Sequence, residues 1–217
     1  RAVLYDRLIS QYGVQMFISA GNSGPGENTV GDPSVASNVM SIGAYITDAT
    51  WAANYGSTAP APGTDNLHPF SSRGPREDGG FKPNVVAPGA AISSTPLWQA
   101  GGPVPGVHEL PPGYSMFNGT SMASPQAAGV GALLVSAAQQ SGVQHQPAQL
   151  RTVLNSSARF LGDYGAHEQG NGLIRVGAAW DLLKTNALKT VDIRSAVPVD
   201  TSLEQFFATP GVGVGIH

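Results

Sequence analysis

The sequence predicts an α/β domain: a parallel sheet with helices on both faces. Three observations predict it. A helix-spaced apolar set (Val3, Leu4, Leu8, Ile9, Tyr12) runs through Gly13 into the apolar stretch 14–20 and then the glycine loop Gly21-Asn22-Ser23-Gly24. A second apolar run, 39–46, follows as the neighbouring strand. Farther on, the polar turn 118–120 opens onto residues 121–140, which are almost entirely Ala, Gly, Val and Leu. In open parallel sheets, sites gather beyond the carboxyl ends of the strands, where the glycine loop sits.

Composition narrows the function classes. Charged residues make up 12 %, against roughly a quarter in an average soluble domain, and 28 Gly with 17 Pro indicate many loops. A net charge of −3 and a pI near 5.9 leave no electrostatic footprint for nucleic acid or an anionic membrane. The absence of cysteine excludes disulfides and thiolate metal sites. No apolar run is long enough to span a bilayer as a helix.

The elements follow in order. Gly13 is a natural stop for the first helix. Residues 47–84 lack clear periodicity and carry turn signals such as Arg73-Gly74-Pro75 and Asp78-Gly79-Gly80. Residues 85–87 read as a short strand closed by Pro88-Gly89, residues 91–95 as a possible further strand, and 96–112 as a Pro/Gly-rich loop. The helix over 121–140 has no polar face before Gln139 and is expected to be buried on all sides, with Pro125 in its first turns. An amphipathic helix is expected over 147–158, a turn and extended piece over 170–176, and a last helix over 177–185. From about residue 187 the pattern changes to weak alternation and Gly-Val repeats, expected as a linker and the first strand of a following β-rich domain.

Two small motifs carry chemistry. Ser121, at a helix N-terminus, reads either as an N-cap or, if Thr120 does the capping, as a spare hydroxyl whose own N–H points outward. Asn22 in its glycine loop reads either as a turn former or as a side-chain donor toward a developing oxyanion. Gly119-Thr-Ser-Met-Ala123 lacks the last glycine of a hydrolase nucleophile elbow, and no dinucleotide or phosphate loop is present. Asp48, Asp65, Glu77 and Asp78 read as solvated loop carboxylates.

Taken together, Asn118-Gly-Thr-Ser-Met-Ala-Ser-Pro125 resembles the nucleophile motif of the subtilisin-like serine peptidases, the subtilases, and Ala20-Gly-Asn-Ser-Gly24 resembles their oxyanion-asparagine motif. Phe70-Ser-Ser-Arg-Gly-Pro75 and Lys82-Pro-Asn-Val-Val-Ala-Pro-Gly89 resemble two further landmarks, the last with Asn84 where the family normally has Asp. Ile42-Gly43-Ala44-Tyr45, the Ser-Ser-Arg-Gly-Pro run and residues 170–176 are similar to the tripeptidyl-peptidase II branch and its larger bacterial relatives. The resemblance covers residues 1–186 and implies a subtilisin-like fold lacking its first strands, with 187–217 beginning another domain.

It also implies roles. Ser121 would be the acyl-transfer nucleophile, Asn22 and the Ser121 N–H the oxyanion hole, and Ser19, Ala20, Gly21, Gly119 and Thr120 the substrate-lining residues. A polypeptide would be the substrate. The family's Asp and His precede these motifs, and no matching motif occurs here; His68 and His108, the histidines before Ser121, read as exposed loop residues. The chain alone is therefore expected to be inactive and to need its missing N-terminal half or another copy, since a truncated sheet exposes an edge. A non-catalytic interaction module on the same fold is the alternative. No cofactor is expected; the family's structural calcium has no assignable ligands. Location would be extracellular for a bacterial subtilase and cytoplasmic for a tripeptidyl-peptidase II-like protein.

Overall fold

The computed structural model describes residues 1–59, 63–98 and 110–185, plus the backbone of strands β7 (Val197–Pro198) and β8 (Val212–Gly213), which pair antiparallel. The expected boundary near 186 and the remainder of the tail, together with His108 and His217, lie outside the described residues. In order, the elements are α1 (Ala2–Tyr12), β1 (Phe17–Ser19), β2 (Met40–Thr47), α2 (Asp48–Tyr55), β3 (Asp65–Leu67), β4 (Val85–Pro88), β5 (Ala90–Ser94), β6 (Tyr114–Asn118), α3 (Thr120–Gln140), α4 (Pro147–Ser157), α5 (Ala166–Gln169) and α6 (Val176–Lys184). Among the described residues, no helix is long and apolar enough to cross a membrane.

β2 is the central strand. β1 pairs with it in parallel along Met40–Ile42, and β4 in parallel along Ile42–Tyr45. β3 pairs antiparallel along Tyr45–Thr47, so the sheet is mixed. That antiparallel strand and α2 fall where the sequence showed no periodicity. The eight-residue α2 buries only Asn54 completely, so it carries no apolar stripe; it is held by its ends, with Thr47 Oγ1 accepting from Thr50 N at 3.1 Å and Gly56 at φ 65°. β6 and α5 were likewise unforeseen; β6 pairs antiparallel with β5 as a separate two-stranded sheet.

Side-chain alternation assigns the two faces. Met40, Ile42, Val85 and Ala87 meet Ala123, Ala127, Leu134 and Ala138 of α3, with Leu150, Val153, Leu154, Ala179 and Leu183 of α4 and α6 in the same cluster. On the other face, Ile18 and Val39 pack with Ile9 of α1, and Tyr45, Leu67 and Val86 with Leu161. Helices thus occupy both faces, as the sequence predicted.

Two readings of α3 are corrected. It is not buried all round: one stripe faces the sheet, while Ser121, Pro125, Gly129, Ala132 and Leu133 lie on the open side, Leu133 with 61 % of its surface exposed. The sheet covers only one flank because, among the described residues, β1 is bonded to β2 alone. Gly131 does serve close packing, since a Cβ there would sit 2.7 Å from the Phe17 ring, whereas one at Gly129 would meet nothing. Pro125 lies beyond the first turn, so it removes the helical bond that the Ser121 carbonyl would otherwise accept.

Lys82 is almost fully buried, donating to Val39 O at 2.6 Å and Asn84 Oδ1 at 3.0 Å. Asn84 Oδ1 also accepts from Ser41 N at 2.9 Å, so Asn84 serves both donors without carrying a charge. Burial pushes the Lys82 ammonium down to about 7. Between this value and the ordinary 10.5 the unfolded chain binds more protons than the folded one, so stability rises with pH across that window and is lost as pH falls toward 7. Asn84→Asp supplies a counter-charge and should stabilise the protein by about 1–2 kcal/mol at neutral pH while flattening that slope, measured by urea midpoints between pH 7 and 10.

Candidate active site

The glycine loop leaves the carboxyl end of β1. Gly21 adopts φ +116°, and a Cβ there would lie 2.7 Å from Ser72 Oγ, so only glycine fits. Asn22 Oδ1 accepts two hydrogen bonds from Thr120, one from its backbone N at 3.0 Å and one from its Oγ1 at 2.9 Å. Because a backbone N–H can only donate, this contact settles the orientation of the planar amide and turns Nδ2 the other way. Thr120 Oγ1 in turn accepts from Gly21 N at 3.2 Å.

Ser121 is exposed in the first turn of α3, where backbone N–H groups have no partner within the helix. The N-cap is Gly119, with no side-chain cap, so Thr120 does not cap the helix; its hydroxyl is committed to Asn22 and Gly21. A Cβ built on Gly119 would lie 3.4 Å from Asn22 Nδ2 and 3.6 Å from Ser121 N. Both donors therefore border one small space beside the Ser121 residue, and glycine at 119 keeps that space open. Met122 Sδ, 3.6 Å from the same point, is the third neighbour of that space at the N-terminus of α3.

The structure thus brings Asn22, Gly119, Thr120 and Ser121 together, with Gly21 bonded to Thr120. Ser19 lines an open groove with Phe17, Ile18, Ser121, Ser124, Pro125 and Ala128. Ala20 is fully buried, its N–H donating to Ile42 O and its carbonyl accepting from Gly31 N, so its side chain adds no surface to the groove.

No histidine lines that groove among the described residues. His68, expected to be exposed, is instead 1 % exposed, stacked on Phe70 at 4.5 Å and 5.9 Å from the Trp51 ring. The sequence concealed this because α2, which carries Trp51, was itself unseen. Burial pushes the His68 imidazole down to about 4. Among the described residues, no group of three or more His, Asp or Glu side chains is placed to hold a metal ion.

The Phe70-Ser-Ser-Arg segment, recognised only as a landmark, lies along the glycine loop: Phe70 O accepts from Gly24 N at 2.9 Å, and Arg73 O from Thr29 N at 2.9 Å. Arg73 is itself fixed by an ion pair with Glu168.

Residues 5–173 match the model of the Subtilase family. The chain belongs to that family. Among its relatives are pyrolysin of Pyrococcus furiosus, 40 % identical over 84 % of this chain and 14 % of the relative, and tripeptidyl-peptidase 2 of Caenorhabditis elegans, 35 % identical over 82 % of this chain and 12 % of the relative. The crystal structure of tripeptidyl peptidase 2 superposes with a TM-score of 0.57 at 30 % identity, covering 83 % of this chain and 12 % of that one. This subtilase chain therefore spans about one-seventh or less of these relatives' lengths.

The buried imidazole gives a pH signature. Between about 4 and 6.5 the unfolded chain takes up a proton at residue 68 that the folded one refuses, so stability is complete above 6.5 and lost as pH falls toward 4. His68→Phe keeps the stack and should lose less stability between pH 7 and 4.5 than the parent, by about 2–3 kcal/mol on chemical denaturation.

Proposed function

We propose that this chain carries the nucleophile and oxyanion hole of a serine peptidase that cleaves polypeptides. The observation that carries the reading is the convergence of Asn22 Nδ2 and Ser121 N on the space beside Gly119. Ser121 Oγ attacks the scissile carbonyl; as the carbon becomes tetrahedral, its oxygen moves into that space and accepts both hydrogen bonds. Ser19, Gly21, Gly119 and Thr120 border the substrate, with Ala20 supporting them from below.

A serine hydroxyl needs a base, and the base needs an orienting carboxylate. The proposed source is a segment docking on the free edge of β1 and the open side of α3, bringing His and Asp to Ser121. Support for this comes from the single strand partner that β1 has among the described residues, the exposed Leu133 and the small share of its relatives' lengths that the chain spans. The segment is either another part of the same polypeptide or a second copy. The similarity to pyrolysin and tripeptidyl-peptidase 2 supports an endopeptidase or a tripeptidyl peptidase.

In the intact protein, a fluorophosphonate should label Ser121, and Ser121→Ala should abolish both the label and peptide hydrolysis. A folded protein that takes no label is instead a non-catalytic module. Asn22→Ala should lower kcat about 10²–10³-fold with little change in KM, a range taken from the corresponding donor of subtilisin, itself a member of this family. The 217-residue chain alone should not hydrolyse a peptide ester. Ester hydrolysis by it that disappears in Ser121→Ala would overturn the need for a docked segment.

A further inference from the structure

We infer that Ser72 is a positioning residue for the oxyanion donor Asn22; the inference rests on the role proposed for Asn22 above. Ser72 is fully buried and grips the glycine loop on both sides of that residue. Its backbone N–H donates to Gly21 O at 2.9 Å, and its Oγ accepts from Ser23 N at 3.0 Å. The same Oγ occupies the space where a Cβ on Gly21 would fall. Asn22 thus has its preceding carbonyl and its following N–H held by a single residue 50 positions along the chain.

Ser72 is itself anchored. The adjacent Ser71 accepts from Ala44 N through its Oγ at 2.9 Å and donates its own N–H to His68 O at 2.9 Å, which ties the segment to the centre of β2. The donor is consequently set by two independent supports. Thr120 fixes the side-chain amide through Oδ1, and Ser72 fixes the backbone from which that side chain projects. Thr120 belongs to α3, as does Ser121, so its contact alone leaves Asn22 free to rock about Oδ1. The grip of Ser72 removes that rotation and holds Nδ2 against the space beside Gly119.

Removing the Ser72 hydroxyl leaves the Ser23 N–H without its acceptor and loosens the loop, while Ser121, the groove and the helix remain in place. An oxyanion donor acts only in the transition state, so its displacement lowers kcat and leaves substrate binding nearly unchanged.

The test is a double-mutant cycle in the intact peptidase. Ser72→Ala should lower kcat about tenfold to hundredfold, with KM moving less than about threefold, and should slow fluorophosphonate labelling of Ser121 in parallel. In an Asn22→Ala background the same change should cost less than about twofold, because the donor it positions is gone. Ser72→Cys, similar in size with a poor acceptor, keeps the packing and should show the same kcat deficit; it carries the test if Ser72→Ala fails to fold. Equal costs in both backgrounds, or unchanged kcat in Ser72→Ala and Ser72→Cys, would overturn the inference. An Asn22→Ala variant with parental kcat would overturn the oxyanion role and this inference with it.

Discussion

Strand β2 is paired on both edges by three strands and is buried along all but its last residue. The elements that build the site take their positions from that constraint. β1 delivers the glycine loop because it runs parallel to β2, and β4 delivers the turn leading to β5 on the opposite side. α3 lies across β1, β2 and β4 because Met40, Ile42, Val85 and Ala87 present one apolar face to Ala123, Ala127 and Leu134. The loop of Asn22 and the first turn of α3 meet at the carboxyl end of the strands as a consequence. A wider α3 side chain at 131 would push the helix off Phe17 and separate the two.

The parts that were legible in the sequence are those where a local signal and the global fold agree. The apolar runs of β1, β2 and β4, Gly13 as a helix stop, and Pro147 opening α4 are of this kind. α2 and β3 were not legible, because an eight-residue helix held by its caps and a three-residue strand held by its neighbour leave no periodicity of their own. At the site, Ser121 and Asn22 stood out because polar residues in glycine turns are legible as motifs. Ser72 did not: its contribution is an acceptor aimed at a loop 50 residues away, and nothing local to a serine beside another serine signals that. His68 reads as exposed in a Pro-flanked loop, and its ring contacts with Trp51 of the unforeseen α2 and with Phe70 help make it a core residue.

Charges near the sheet differ in how they are met. Arg159 forms a two-pronged contact with Asp65, at 2.7 and 2.9 Å, and Tyr45 donates to the same carboxylate, which is held down at about 2. Among the described residues Lys82 has no such partner, only a carbonyl and an amide oxygen, and its burial lowers the ammonium. Without a carboxylate beside it, the buried ammonium expresses its desolvation as a pH dependence of stability.

The contact between Thr120 and Asn22 joins residues 98 positions apart. Neither the glycine loop nor the α3 turn can make this contact by local folding; each has to wait until the intervening chain has been drawn into the sheet. Contacts of that separation are entropically expensive to close and form late along a folding trajectory. The meeting of Asn22 with the first turn of α3 is therefore a readout of completed topology: a chain with native helices but an unfinished sheet would hold Asn22 and Ser121 and still not bring them together.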